Sequence, residues 1–192
     1  MELFYFVKEN DVNHTKQMVA AKPLCVDLDG TLIKTDMLWE CIVRLLKQKT
    51  FMLFMLPLWL LKGKIYLKST LASLVDIDVA TLPYDETVLG YVRNAKEAGQ
   101  EVILCTGSYY SIAEAVAGHL ELFSSVLATT DEINLTGRNK AEVLVDRYGR
   151  QGYSYIGNEI KDFHVWDDCS QVVCVSGSKS FGSKFEKRYS GA

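Results

Sequence analysis

Asp27 and Asp29 stand two residues apart in Asp27-Leu28-Asp29-Gly30-Thr31, at the end of a short apolar run that opens at Pro23. Two carboxylates at i and i+2, leaving a strand into a glycine turn, can both face one small volume. They repel each other there unless a cation lies between them, and a hard ion with oxygen ligands such as Mg²⁺ suits. One carboxylate held in that way can attack phosphorus as a nucleophile. The other can protonate a leaving oxygen and later activate water. Alone, the same five residues also describe an acidic turn.

Three further groups gain meaning beside this pair. Thr106-Gly107-Ser108 follow a second apolar run and offer a hydroxyl and backbone N–H groups to a phosphate oxygen. Lys140, at the start of a helical stretch after Gly137-Arg138-Asn139, can neutralise a phosphate and steady a carboxylate nucleophile. Asn158 and Asp162, in Gly157-Asn158-Glu159-Ile160-Lys161-Asp162, stand at i and i+4, a spacing that on a helix shares one face and can complete a metal shell. Each signal is weak by itself. A turn, a solvated lysine and a capped helix start account for them one at a time.

The elements that must hold these residues alternate. The run PLCVDLDG reads as a buried strand, followed by a long helical stretch from 37 to about 75. Asp85 caps a helix over 86–98, ended by Gly99. Strand EVILCTGS, helix 111–119, strand 125–128, helix 139–148, strand 153–156, helix 160–168 and strand 172–175 follow in turn. The pattern predicts an α/β fold, a doubly wound parallel sheet with an inserted helical cap. Its boundaries fall at 22–33 and 84–176 for the core and 34–83 for the cap, with an N-terminal extension over 1–21 and a flexible Ser/Gly/Lys-rich tail over 177–192. In such sheets ligands sit beyond the carboxyl ends of the strands, and all four groups fall there.

The bulk properties agree with a globular chain. Of 192 residues 48% are apolar and 23% charged, so a packed core is affordable, and a net charge of −3 argues against a general nucleic-acid binder. Five cysteines are odd in number and show no CxxC pair; three of them sit inside apolar runs and read as buried free thiols, which predicts a reducing, cytosolic compartment. His14, His119 and His164 are scattered and read as structural or exposed, and Tyr109 and Tyr110 follow the phosphate loop. The N-terminus lacks the pattern of a secretory signal. One segment departs from the average: between 37 and 73, six lysines and arginines face the single acid Glu40, a charge of +5 that leaves −8 elsewhere. It also holds the most apolar run, FMLFMLPLWLL over 51–61, which falls short of the ~20 residues that span a bilayer. That run reads as a buried or interfacial helix. A cap both apolar and basic suits an anionic membrane surface and a lipid-linked phosphate.

In combination the motifs resemble the haloacid dehalogenase superfamily, whose four motifs run in this order and read here DLDGT, LCTGS, Lys140 and GNEIKD. The resemblance spans about residues 22–176. It implies a Rossmann-like core with a C1-type cap and a Mg²⁺-dependent phosphomonoester hydrolase. Asp27 would be the nucleophile and Asp29 the general acid/base; Thr106 and Gly107 would bind phosphate and Lys140 stabilise charge. Asp162 and Asn158 would hold Mg²⁺ with Asp27 and the Asp29 backbone carbonyl. The second acid, Asp29, favours the family's phosphatases over its dehalogenases. The fourth motif usually begins Gly-Asp, so Asn158 removes one negative charge from the metal shell, and weaker metal binding is expected. PLWLLKGKIYLKSTLASLVDIDVATLPY, NLTGRNKAEVLVDRYG and YSYIGNEIKDFHVW are also similar to domains fused ahead of UbiA-type prenyltransferases. This adds a prenyltransferase or the inner membrane face as expected partners and a polyprenyl-linked sugar phosphate as expected substrate. Two other readings remain open: a non-catalytic phosphate- and Mg²⁺-binding module beside such an enzyme, and a phosphotransferase such as a mutase.

Overall fold

A computed structural model of the chain describes residues 2–7, 22–176 and 179–189. Six strands make one sheet: β1 (Glu2–Val7), β2 (Leu24–Val26), β3 (Val102–Tyr109), β4 (Ser125–Thr129), β5 (Ser154–Gly157) and β6 (Gln171–Ser176). Their order across the sheet is β1-β6-β5-β2-β3-β4, with β2 to β6 parallel and β1 antiparallel on β6. The chain leaves β2 toward β3 on one side and later returns to pair β5 on the other, so the topological switch point falls at the end of β2. Alternation along the strands feeds two cores. Leu24, Val26, Leu104 and Ile156 pack on one face, and Cys25, Ile103, Cys105 and Tyr155 on the other. All five cysteines are buried, and none of them forms a disulfide.

Helices cover both faces. On the first lie α4 (Glu86–Glu97), capped by the buried Asp85 carboxylate through the N–H groups of Thr87 and Val88, and α5 (Tyr110–Leu120). On the second lie α6 (Arg138–Tyr148), α7 (Phe163–Trp166) and α8 (Lys179–Tyr189).

Regular elements lie in both terminal segments, over Glu2–Val7 and Lys179–Tyr189. The expected loose extension starts instead as strand β1, because Phe4, Tyr5, Phe6 and Val7 are strong strand formers beside an open sheet edge; residues 8–21 lie outside those described. The expected flexible tail is instead helix α8. Phe181, Phe185 and Tyr189 recur at helical spacing and close on the Trp166 ring at 6.4, 4.9 and 6.3 Å between centroids.

The insertion between β2 and α4 is a helical cap. Instead of one long helix it contains α1 (Met37–Gln48), a 3-10 turn (Thr50–Met55), α2 (Leu56–Leu61) and α3 (Lys64–Leu74). Breaks come where the backbone cannot stay helical: Lys49 at φ −147° and ψ 57°, Pro57 confined to the first turn of α2, and Gly63 at φ +112°. Two strands of linker join cap to core side by side. Lys34 N–H donates to the Pro83 carbonyl and Asp85 N–H to the Leu32 carbonyl. The inner face of the cap, with Met37, Cys41, Leu45, Leu67 and Leu71, continues the first core. The apolar run 51–61 is not a buried helix: Trp59 alone is buried in it. Among the described residues no helix is long and apolar enough to cross a membrane.

Candidate active site

The ends of β2, β3 and β5 and the start of α6 converge on one cavity of about 600 Å³, roofed by the cap. Asp27 follows β2 directly, and its N–H donates to the Ile156 carbonyl of the neighbouring strand, which fixes the turn. Gly30 sits at φ +72°, a conformation that disfavours any side chain, and a Cβ there would strike Asn158 Nδ2. So DLDGT needs its glycine twice, for the turn and for the approach of β5.

Lys140 reaches the nucleophile position from the first turn of α6. Its Nζ, buried, donates to Asp27 Oδ1 at 2.7 Å and to the Tyr155 hydroxyl at 2.8 Å. That hydroxyl donates in turn to Asp162 Oδ1 at 2.9 Å. Burial pushes the Asp27 carboxyl up to about 7, against the pull of Lys140. Burial works against the charge on Lys140, yet Asp27 and Asp162 more than offset it and raise its pKa, so the lysine stays protonated.

Asp29 is held by three donors. The N–H of Met37, first residue of α1, reaches Oδ1 at 2.7 Å; the Ser108 and Thr106 hydroxyls reach Oδ2 at 2.8 and 3.3 Å. Burial raises its pKa all the same. Thr106, Gly107 and Ser108 belong to β3, which runs on to Tyr109, rather than to a helix N-terminus. Gly107 and Ser108 line the cavity, while the buried Thr106 hydroxyl lies behind Asp29 and also receives the Ser108 N–H at 2.9 Å. A Cβ on Gly107 would come within 2.6 Å of Thr136 Cγ2.

The fourth motif is arranged differently from a shared helical face. After β5 the chain makes a 3-10 turn (Ile160–Asp162), and Asp162 folds back so that Oδ2 accepts the N–H groups of Asn158 and Glu159, each at 2.9 Å. Gly157 permits this, since a Cβ there would lie 2.6 Å from Asp162 Oδ2. Both oxygens of Asp162 are thus engaged, and its position is one of support behind Asn158 and Lys140. Asn158 Oδ1 is buried and, among the described residues, has no hydrogen-bond partner. A buried acceptor left open beside two carboxylates fits a hard divalent ion, because such an ion supplies what the protein does not. No three His, Cys, Asp or Glu side chains converge on a metal position among the described residues, so the donors would be Asp27, Asn158 and the Asp29 backbone carbonyl.

Three side chains, Ser108, Tyr155 and Lys68, hold positions that the sequence did not assign to them. Ser108 had a local signal, since it shares a strand face with Thr106 at i and i+2. Tyr155, inside strand β5, reads from the sequence as a core residue. Lys68 of α3 had no local signal: its Nζ crosses from cap to core and donates to the Gly107 carbonyl and Asn134 Oδ1, both at 2.7 Å. Burial lowers its pKa. His119, which stacks on Tyr84, and His164 do not line the cavity, and His14 lies outside the described residues.

Comparison with known proteins gives the same picture. Residues 24–164 match the family described as haloacid dehalogenase-like hydrolase. An uncharacterised protein, y4nM, of Sinorhizobium fredii is 34% identical over 166 residues, 86% of this chain and 32% of its own length, so the chain spans about a third of that relative. Among solved structures, a Bordetella pertussis protein of unknown function superposes with a TM-score of 0.65 at 12% identity, over 88% of this chain and 96% of that one. A substrate-bound phosphoserine phosphatase gives 0.59 at 13% identity, over 88% and 91%. A probable phosphoserine phosphatase from Vibrio cholerae gives 0.58 at 14%, over 85% and 59%. At these identities the structures speak for the fold.

Proposed function

Since the chain belongs to the haloacid dehalogenase-like hydrolases, we propose that its cavity hydrolyses phosphate monoesters through a phosphoryl group carried on Asp27. The observation that carries this reading is the buried 2.7 Å contact between Asp27 and Lys140 in a cavity that Asp29 also lines. Lys140 aims the Asp27 carboxylate and favours its charged form against the burial that raises its pKa. A carboxylate oxygen attacks phosphorus, forming the new P–O bond as the bond to the ester oxygen breaks. Asp29 gives that oxygen a proton, then takes one from the water that attacks phosphorus and returns Asp27 to its free form. Ser108 and Thr106 hold Asp29 in place, and Lys140 faces the charge of the transferring group. Mg²⁺, held by Asp27, Asn158 and the Asp29 carbonyl, would supply the remaining positive charge.

The finer reading of the substrate is a monoester on an apolar carrier, such as a polyprenyl-linked sugar phosphate handled beside a UbiA-type prenyltransferase. Its support is the cavity wall given by the cap, where Leu38, Leu60 and Leu67 stand with Lys64 and Lys68. The test is Mg²⁺-dependent phosphate release from a panel of soluble and lipid-linked monoesters, with Asp27→Asn as control. Release that needs both Mg²⁺ and Asp27 supports the phosphatase, and preference for a lipid-linked ester supports the carrier. Silence of the parent chain and of Asn158→Asp alike favours the non-catalytic module.

A further inference from the structure

Nine of the eleven large apolar side chains exposed among the described residues belong to one part of the molecule, the cap between Trp39 and Tyr66. Phe54 is 85% exposed, Leu61 83% and Phe51 71%, with Met55, Leu58 and Leu60 exposed between them. A globular surface does not leave that many neighbouring aromatic and aliphatic side chains in water without a use. Of the stretch 50–61, Trp59 is buried and Met52, Leu53 and Leu56 lean partly on the core, which leaves Phe51, Phe54, Met55, Leu58, Leu60 and Leu61 exposed.

We propose that this face of the cap docks on an anionic lipid surface, with Phe51, Phe54, Leu58 and Leu61 entering the interface. The charges commit the proposal to a lipid rather than to a second copy of the chain. Residues 50–61 contain no charged side chain at all, and the exposed flanking charges, Lys47, Lys62 and Lys64, are all positive. Lys62 lies 4.6 Å from the centroid of the exposed Tyr66 ring, a cation on an aromatic at the edge of the patch. Apolar insertion flanked by lysines is the pattern that binds acidic headgroups. A second copy would set lysines against lysines across a symmetric contact. The patch also reaches the cavity: Leu60 and Lys64 belong both to the exposed face and to the cavity wall. Docking would therefore present the mouth of the cavity to groups anchored in the lipid, and this last consequence rests on the proposed phosphatase reading.

The docking itself is tested without any ester or Mg²⁺. The parent chain is sedimented with vesicles of phosphatidylcholine alone and of phosphatidylcholine with phosphatidylglycerol, at low and high salt. Expected are binding to the anionic vesicles, weakening with salt, and a loss of about a hundredfold in Phe54→Ser/Leu61→Ser. Lys47→Glu/Lys62→Glu is expected to lose about tenfold at low salt. All four positions are exposed, so the variants should melt with the parent. Asp27→Asn should bind as the parent does, so a failed phosphatase assay leaves the docking result standing. Absence of vesicle binding, or equal binding by Phe54→Ser/Leu61→Ser, overturns the proposal. So does a dimer in solution that the same double variant dissolves.

Discussion

The chemistry rests on a chain of four buried groups, Asp27, Lys140, Tyr155 and Asp162, in which each polar atom leans on the next. The carboxylates were legible in the sequence because they follow strand ends, where ligands gather in a parallel sheet, and the lysine because it opens the helix after the next strand. Tyr155 was not, since a tyrosine in a strand is ordinarily core and only the fold shows its hydroxyl between Lys140 and Asp162. Tyr155→Phe removes that bridge and should cost about 1–2 kcal/mol in denaturant unfolding, because two buried charged groups each lose a partner. Asn158 is a second case. Its oxygen is open and buried, but neutral, so Asn158→Asp should tighten Mg²⁺ binding about tenfold in a calorimetric titration. An unchanged affinity would remove Asn158 from the ion's surroundings.

At the scale of elements, periodicity located the core strands and their helices within a residue or two, because alternating burial on two faces leaves a plain signal. It failed where composition misleads. The C-terminal segment is rich in serine, glycine and lysine, yet three aromatics at helical spacing carry α8 onto Trp166. Phe185→Ala should therefore destabilise the domain by about 3–5 kcal/mol, a cost no unpacked tail could exact. A melting temperature equal to the parent's would return the segment to a tail. The expected shared helical face of Asn158 and Asp162 failed for a related reason. Gly157 lets Asp162 close on the backbone of its own turn, an approach that spacing alone does not reveal.

Across the whole molecule, the parallel sheet and the place of the cap followed from the alternation of elements and from the length of the insertion after Asp29, whereas the order of the strands and the antiparallel edge strand β1 come from the structure. How the cap meets the core did not, because that depends on single long side chains. Lys68 spans the joint, tying α3 to the Gly107 carbonyl and Asn134. Lys68→Met should loosen closure over the cavity and raise KM more than it lowers kcat, with stability changed by only about 1 kcal/mol. Equal kcat and KM in variant and parent would show that the tie plays no part in closure. Everything else depends on whether Asp27 itself takes the phosphoryl group. The most direct measurement is an acid quench during turnover with Mg²⁺ and an accepted monoester, followed by peptide mass mapping. One phosphoryl group on the peptide holding Asp27, absent in Asp27→Asn, is the expected result. Phosphate release at the parent's rate by Asp27→Asn, with no phosphoryl on the chain, would contradict it.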